Sequence, residues 1–295
     1  MMATESLAIE PHAPSTQDIG ARQGPLLVFG GAYSNLQALQ ALKAIADQAQ
    51  ISPGNVIFTG DAVAYGADPQ GCVELLRDWG VAAIAGNVEL QLRQGIDNCG
   101  CNFTPGSMCD SLSQRWYRYA QQQLNREAIA WMQQLPEHLT FTYAGRQVRV
   151  VHGSYRQTSE FVFESTPWRR KAQNMAAAKA DILLSGHCGL PWHSHGDGKL
   201  WINAGVIGMP ANDGTPRAWY LVLDTEEGTL VCHRRAYYYD HHRAAAQMED
   251  NQLPLAYSRA LRTGLWEDCS ILPAAERAAQ GILIGEETLR LPLTV

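Results

Sequence analysis

Four short apolar runs in this chain each end at a polar residue that is a good metal ligand and has a glycine beside it. The four polar residues are Asp61, Asn87, His152 and His187. An apolar run that stops at a glycine reads as a buried strand, and open α/β sheets place their chemistry at the carboxyl ends of such strands. One carboxylate, one amide oxygen and two imidazoles suit a divalent ion such as Mn, Fe or Zn. The sequence therefore predicts one divalent metal ion held by these four residues.

Any one of these residues alone is explained by a strand-terminal turn or by a buried, hydrogen-bonded histidine. Together they stand in a series of motifs between Leu26 and Thr263, which read G-G-A-Y-S-N, T-G-D-A-V-A-Y, G-N-V-E, V-H-G-S and G-H-C-G. In order and spacing, this series resembles the calcineurin-like metallophosphoesterases, in particular their small bacterial branch. The resemblance implies a metal-dependent phosphoesterase in which the four residues form one metal site.

The resemblance is incomplete at four positions. Where the family has an Asp, two ligand histidines and a catalytic histidine, this chain has Gly31, Tyr33, Gly189 and Val88. The family holds two metal ions that clamp the attacking and leaving oxygens, and the resemblance makes Asp61 the bridge between them. One metal site is therefore expected to be whole, whereas the other keeps only Asp61. The chain is interpreted as a divergent member with a degenerate first metal site.

The catalytic and substrate-binding predictions follow from this pattern. Asp61 is the first predicted catalytic residue, and without an imidazole at position 88 the leaving group needs another proton donor. Glu89, Tyr33 or a cysteine of the loop after Glu89 can serve. Asn35, which also caps a predicted helix, and Arg156 are the predicted substrate contacts, since a guanidinium can pair two phosphate oxygens.

Cysteine and histidine residues supply further candidate ligands. The turn-rich loop from Gly95 to Asp110 holds Cys99, Cys101 and Cys109, and Cys188 follows His187 directly. The loop cysteines are predicted as extra metal ligands, as a redox pair, or as reduced thiols of a surface loop. Cys188 is predicted as a soft-metal ligand or nucleophile, or as an inert side chain that points away. His193 and His195 can replace a lost ligand or lie on an exposed strand edge.

The elements that must position these residues fall into two halves. Runs at Pro25 to Phe29, Asn55 to Phe58 and Val81 to Ala85 alternate with helical periodicity, which predicts parallel strands with helical crossovers. From Ile182 onward strands follow one another across turns, which predicts a second sheet. The predicted fold class is α/β, a four-layer α/β/β/α sandwich of two mixed sheets. The predicted division is a flexible leader at 1–24, one domain at 25–265 and a C-terminal extension at 266–295.

Length, composition and charge narrow the function classes. A chain of 295 residues with 46% hydrophobic content can bury one large core. Its net charge of −6 argues against a general nucleic-acid binder. Neither a signal peptide nor a run of about 18 apolar residues is recognisable, so a cytoplasmic protein without membrane contact is predicted. The predicted partner is a small phosphorylated molecule, and the oligomeric state is left open.

Two functions of different class remain. The first is a metal-dependent phosphoesterase-like hydrolase that works through the one retained metal site. The second is a catalytically lapsed homologue that binds or senses a phosphorylated metabolite, or an enzyme of changed metal chemistry that uses the cysteine-rich loop. Retention of all four ligands favours a bound metal in either case.

Overall fold

The computed structural model of the protein describes residues 14–101, 103 and 105–293. The described residues form two six-stranded sheets and nine α-helices. The strands are β1 Thr16–Arg22, β2 Leu26–Phe29, β3 Val56–Phe58, β4 Ala82–Ala83, β5 His138–Tyr143, β6 Arg146–Val150, β7 Ile182–Ser185, β8 Pro191–Gly196, β9 Lys199–Ala204, β10 Ala218–Glu226, β11 Thr229–Tyr237 and β12 Glu287–Pro292. The helices are α1 Leu36–Gln48, α2 Pro69–Trp79, α3 Asn87–Leu92, α4 Met108–Gln123, α5 Arg126–Gln134, α6 Trp168–Ala178, α7 His241–Asp250, α8 Leu255–Thr263 and α9 Ala274–Ala278.

The first sheet, called sheet I, has the strand order β12-β11-β10-β2-β3-β4. Strands β2, β3 and β4 run parallel, and β10, β11 and β12 continue the sheet in antiparallel fashion. The parallel strands are joined by α1 and α2, which begin at the caps Asn35 and Asp68. Each cap side chain accepts a backbone N–H of the first turn, so the helix starts directly after the loop that follows a strand.

The second sheet, called sheet II, has the strand order β1-β5-β6-β7-β9-β8. Its pairs are parallel for β1 with β5, β6 with β7 and β7 with β9, and antiparallel for β5 with β6 and β8 with β9. Both sheets are therefore mixed. The hairpin of β5 and β6 turns at Ala144 and Gly145. Strands β6 and β7 end side by side at the loops that carry His152 and His187.

The layers follow from the alternation of side chains along the buried strands. In β2, Leu26 and Val28 pack between the two sheets, whereas Leu27 and Phe29 pack beneath the helices on the outer face of sheet I. On the outer face of sheet II, Leu183 packs in a cluster with Met175 of α6. The predicted four-layer α/β/β/α sandwich is confirmed.

Two stretches predicted as a leader and an extension instead contribute edge strands to the sheets. Residues 16–22 form β1 at one edge of sheet II, so the leader prediction is wrong for this stretch; residues 1–13 lie outside the described part. In the predicted extension, β12 pairs with β11 and completes sheet I. Pairing of this kind is non-local and leaves little hydrophobic pattern in an exposed edge strand. None of the described helices combines the length and apolar character needed to cross a membrane.

Candidate metal centre

The four predicted ligands lie where parallel strands of both sheets end. Asp61 and Asn87 follow β3 and β4 of sheet I, and His152 and His187 follow β6 and β7 of sheet II. Asp61 and His187 have φ angles of 64° and 65°, in the left-handed region of backbone conformation that residues other than glycine rarely adopt. Both residues sit at abrupt turns, and such backbone strain persists where the surroundings hold it in place.

The four side chains converge on one buried point. His152 Nε2 lies 3.0 Å from Asn87 Oδ1, 3.1 Å from Asp61 Oδ2 and 3.1 Å from His187 Nδ1. One ligand atom each from Asp61, His152 and His187 lies within 4.8 Å of the others. The structure thus brings together all four residues that the sequence predicts, three from loops and Asn87 from the first turn of α3.

Two backbone carbonyl groups orient these ligands. His152 Nδ1 donates to the Thr59 carbonyl oxygen over 2.7 Å, so Nε2 faces the centre. Asn87 Nδ2 donates to the Cys99 carbonyl oxygen over 2.8 Å, so Oδ1 faces the centre. Partners of this kind set the tautomer and direction of a metal ligand. Thr59 was not predicted, and no side-chain motif reveals it because it acts through its backbone.

The charges at the centre suit a cation. Burial raises the pKa of the Asp61 carboxyl, but His152 and His187 beside it lower that pKa more, so the net shift is downward. Burial lowers the pKa of His187 to about 3, with His152 adding to the effect. Burial also lowers the pKa of His152, but the Asp61 carboxylate opposes it and the net shift is upward. An ionised carboxylate, an amide oxygen and imidazole lone pairs are the forms that bind a divalent metal, so the donor set fits one.

Glu89 does not reach the centre as a proton donor, contrary to the prediction. Its carboxylate is fully buried and accepts the backbone N–H groups of Asp61, Ala62 and Gly86 over 2.8, 2.9 and 2.8 Å. Burial, followed by the Asp61 charge, raises the pKa of Glu89 to about 7. Glu89 does not line the neighbouring cavity, and its three N–H partners join the Asp61 loop to the start of α3.

Aromatic rings lie against the two glycines that stand where the family has metal ligands. A Cβ atom at Gly31 would lie 2.6 Å from two atoms of the Tyr33 ring. A Cβ atom at Gly189 would lie 2.9 Å from the Trp266 ring, and Gly189 has a φ angle of +83°. Larger residues at 31 and 189 are therefore incompatible with the aromatic rings beside them. Trp266 is held in place because its Nε1 donates to the Pro210 carbonyl oxygen over 2.8 Å.

A cavity of about 90 Å³ lies beside these two glycines and has Asp61 and His187 at its wall. We call it the apolar chamber, because most of its other lining side chains are aromatic or aliphatic. They include Tyr33, Tyr65, Val88, Trp116, Phe161 and Trp266. The Phe161 ring stacks on the His187 ring with 4.4 Å between centroids.

The two predicted substrate contacts do not face the chamber. Asn35 Oδ1 caps α1, and its Nδ2 donates to the Gly208 carbonyl and the Tyr239 hydroxyl over 3.1 and 3.0 Å. Its polar atoms are thus used within the fold. Arg156 is exposed on the loop after β6 and does not line the chamber. Neither residue therefore contributes to the chamber wall, and the Arg156 contact stays a prediction.

The cysteine predictions have different outcomes. Cys99 and Cys101 are joined by a disulfide, so neither presents a free thiolate, and Cys101 lines the chamber. Cys109 belongs to α4, and its side chain lies outside the described residues. Cys188 also lines the chamber, but burial raises the pKa of its thiol to about 11, which disfavours a nucleophile or thiolate ligand. His193 and His195 lie on the edge strand β8 and do not line the chamber.

Comparison with known proteins identifies the family. The model of the calcineurin-like phosphoesterase superfamily domain matches residues 34–228. The chain belongs to this superfamily. The resemblance seen in the motifs is thereby confirmed, and membership in the calcineurin-like phosphoesterase superfamily supports a hydrolase.

Individual relatives add the extent of the likeness. An uncharacterized protein of Methanocaldococcus jannaschii is 22% identical over 246 residues, which cover 78% of this chain and 93% of that protein. A metallophosphoesterase from Sphaerobacter thermophilus has a TM-score of 0.63 and 23% identity, covering 83% of this chain and 100% of its own. A hypothetical protein from Pyrococcus horikoshii has a TM-score of 0.67 and 17% identity, covering 81% and 98%. These two solved structures have the same fold as this chain.

Proposed function

We propose that this protein is a metal-dependent phosphoesterase that acts on a small phosphorylated molecule through one divalent ion, Mn, Fe or Zn. The ion would be held by Asp61, Asn87, His152 and His187. One observation carries the proposal: a single nitrogen, His152 Nε2, faces three electron-rich atoms at 3.0–3.1 Å. One N–H at this nitrogen can satisfy one acceptor and leaves the others facing it, whereas a cation satisfies all four atoms together.

The chain's own residues supply the rest of the reaction. When bound, the ion provides Lewis acidity at the phosphoryl group. Tyr33 is the proposed proton donor for the leaving oxygen, because it lines the same cavity as Asp61 and no imidazole stands at Val88. Burial, followed by the nearby Tyr65, raises the pKa of Tyr33 well above its ordinary value, so the hydroxyl keeps its proton at neutral pH. Glu89 keeps the Asp61 loop in place.

A second candidate is a lapsed homologue that binds or senses a phosphorylated metabolite. It is favoured by the apolar side chain at Val88 and by the rings that lie against Gly31 and Gly189. Such a protein would bind inorganic phosphate in a metal-dependent way and hydrolyse no ester. The first candidate predicts turnover that depends on the same ion. The cytoplasmic location and the absence of nucleic-acid partners stay predictions.

Metal content tests the centre directly. Protein purified without chelator should carry at most one tightly bound ion per chain, since the rings of Tyr33 and Trp266 lie against the two glycines that stand where the family has metal ligands. His152→Ala should release the ion, because it removes the nitrogen on which the other ligands converge. His195→Ala is the matched control, since it removes an exposed histidine of β8 and should leave the metal content unchanged. Two ions per chain, or full retention in His152→Ala, would overturn the one-site assignment.

Turnover is tested with a panel of phosphomonoesters and phosphodiesters after the metal has been identified. Asp61→Asn should abolish hydrolysis, because it weakens both the ligand and the charge at the centre. Hydrolysis that persists in Asp61→Asn would belong to another site or to a contaminant. Absence of hydrolysis in a metal-loaded protein that binds phosphate would favour the sensing candidate.

A further inference from the structure

We propose that the apolar chamber binds the alcohol part of the substrate, and that the substrate is a phosphate ester of an apolar alcohol. This inference rests on the proposed function, because it requires the phosphoryl group to sit at the metal centre. The inference specifies the organic group that is bonded to the ester oxygen. The class comprises esters with an aryl group or an alkyl chain, as distinct from sugar phosphates, nucleotides and polyphosphates.

The first argument is continuity. Asp61 and His187 belong both to the metal-ligand cluster and to the chamber wall. A phosphoryl group held at the cluster therefore has the chamber beside it, and the ester substituent can extend between the rings of Phe161 and Trp266. The cavity is small, about 90 Å³, so the part of the substituent that it encloses is small as well.

The second argument is charge. Among the described residues that line the chamber, none is lysine or arginine. The acidic residues there are Asp61, Glu267 and Asp268, of which Glu267 pairs with Arg259 at 3.1 Å. A second phosphate or a carboxylate in this space would find no lysine or arginine in the described lining to balance its charge. A nucleoside polyphosphate or a sugar bisphosphate is thus disfavoured.

The third argument is the polarity of the wall. A sugar ring carries many hydroxyl groups, and each loses a hydrogen bond to water when it enters a space without partners. Val88, Trp116 and Phe161 offer mainly apolar contact surface. An alkyl or aryl group gains free energy in the same space because its surface leaves water. The chamber therefore selects for apolar substituents and against hydroxylated ones.

The fourth argument is that the lost metal site and the chamber occupy the same positions. Tyr33, Val88 and Gly189 stand where the resemblance places ligands and a catalytic histidine, and all three line the chamber. Trp266, from the part of the chain beyond the matched family domain, closes against Gly189. Replacement of the ligands has therefore produced a wall suited to an apolar group.

A series of n-alkyl phosphates from ethyl to octyl tests the inference. All members have nearly the same leaving-group basicity, so a rise in kcat/KM along the series measures apolar burial. The expected rise is about three- to fourfold for each methylene that enters the chamber. Ribose 5-phosphate and glycerol phosphate should be turned over less well than octyl phosphate. A flat series, or preference for the hydroxylated esters, overturns the inference.

Filling the chamber supplies the matched comparison. Ala256 lines the chamber from α8, whereas its neighbour Leu255 is 52% exposed and does not line it. Ala256→Trp should flatten the chain-length dependence, and Leu255→Trp should leave it as in the native protein. If Ala256→Trp does not fold, Ala256→Leu tests the same point with a smaller group. Unchanged length dependence in a folded, chamber-filled variant contradicts the inference.

A binding measurement separates this inference from the proposed function. Alkylphosphonates cannot be hydrolysed at the phosphorus–carbon bond, and Trp116 and Trp266 in the wall report their entry by fluorescence. Binding that tightens with chain length and is lost in Ala256→Trp supports the chamber even if no ester is turned over, in which case only the phosphoesterase proposal fails. Octanol that binds as well as octylphosphonate, with both unaffected by His152→Ala, overturns the link between chamber and metal centre.

Discussion

Gly189 and Trp266 are in contact beside the degenerate first metal site, and the free energy of unfolding can measure this contact. Gly189 has a φ angle of +83°, and a Cβ atom there would lie 2.9 and 3.1 Å from two atoms of the Trp266 ring. Gly189→Ala therefore combines two costs. The left-handed backbone costs an alanine about 1–2 kcal/mol, and the forced shift of a packed ring costs about 1–3 kcal/mol. The free energy of unfolding should fall by about 2–5 kcal/mol in total.

A control variant separates the two costs. Gly80 ends α2 with a φ angle of +71°, and a Cβ atom there would meet nothing within 4 Å. Gly80→Ala should show the backbone cost alone. In a Trp266→Ala background, Gly189→Ala should then cost about as much as Gly80→Ala, which gives a coupling of about 1–3 kcal/mol between positions 189 and 266.

The assay is urea denaturation of the native protein, the single variants and the double variant, with unchanged slopes as a check on each. Effects of Gly189→Ala and Trp266→Ala that add within about 0.5 kcal/mol would refute the reasoning, because independent sites behave in that way. A cost of Gly189→Ala equal to that of Gly80→Ala in the native background would refute it as well.

Three further predictions concern the surroundings of the centre. Glu89→Gln should lower the free energy of unfolding by about 1–3 kcal/mol, because its amide leaves a buried N–H without an acceptor. Glu127→Gln changes an exposed side chain and should be nearly neutral in the same urea assay. Equal effects of the two substitutions would contradict the role of Glu89 in holding the Asp61 loop. Tyr33→Phe should lower turnover of an alkyl phosphate by about 10²–10⁴-fold and that of p-nitrophenyl phosphate much less, since nitrophenolate leaves without a proton; equal losses would speak against proton donation. Burial, followed by the charge of Arg149, lowers the pKa of His138 to about 4. Between about pH 6.5 and pH 4 the unfolded chain therefore binds a proton at this residue that the folded chain does not bind. The free energy of unfolding consequently falls as the pH falls through this range. His138→Phe should reduce this loss by up to about 3 kcal/mol in urea titrations at pH 7 and 4, and an unchanged loss would contradict the assignment.

The sequence predicts the layered fold and the four residues that meet at the candidate centre because both rest on local patterns. The runs before Asp61 and His187 are buried on both faces, as parallel central strands are, and a glycine marks the end of each run. These signals lie within a few residues of one another. Their convergence follows from the rule that parallel strands place their carboxyl ends at one edge.

The remaining features depend on contacts between distant parts of the chain. Glu89 was expected to donate a proton because it stands beside a lost histidine, yet its three N–H partners come from the Asp61 loop and from the helix start. Trp266 reaches Gly189 from 77 positions further along the sequence, counted from the residue numbers. Strand β1 carries mostly exposed residues and pairs with β5. No local pattern specifies such partners.

Three consecutive residues of α3 face three different parts of the candidate centre. Asn87 faces the metal ligands, Val88 faces the chamber, and Glu89 holds the Asp61 loop by its backbone. A change at position 88 therefore alters the supply of protons and the shape of the chamber without moving either neighbour. Under the proposed function, the metal ion polarises the phosphoryl group and Val88 supplies no proton to the leaving oxygen, so Tyr33 or the acidity of the alcohol itself is proposed to compensate. Aryl esters would provide both an acidic leaving alcohol and an apolar substituent. A phenol leaves more readily than an alkanol, and its ring suits a chamber walled by aromatic side chains.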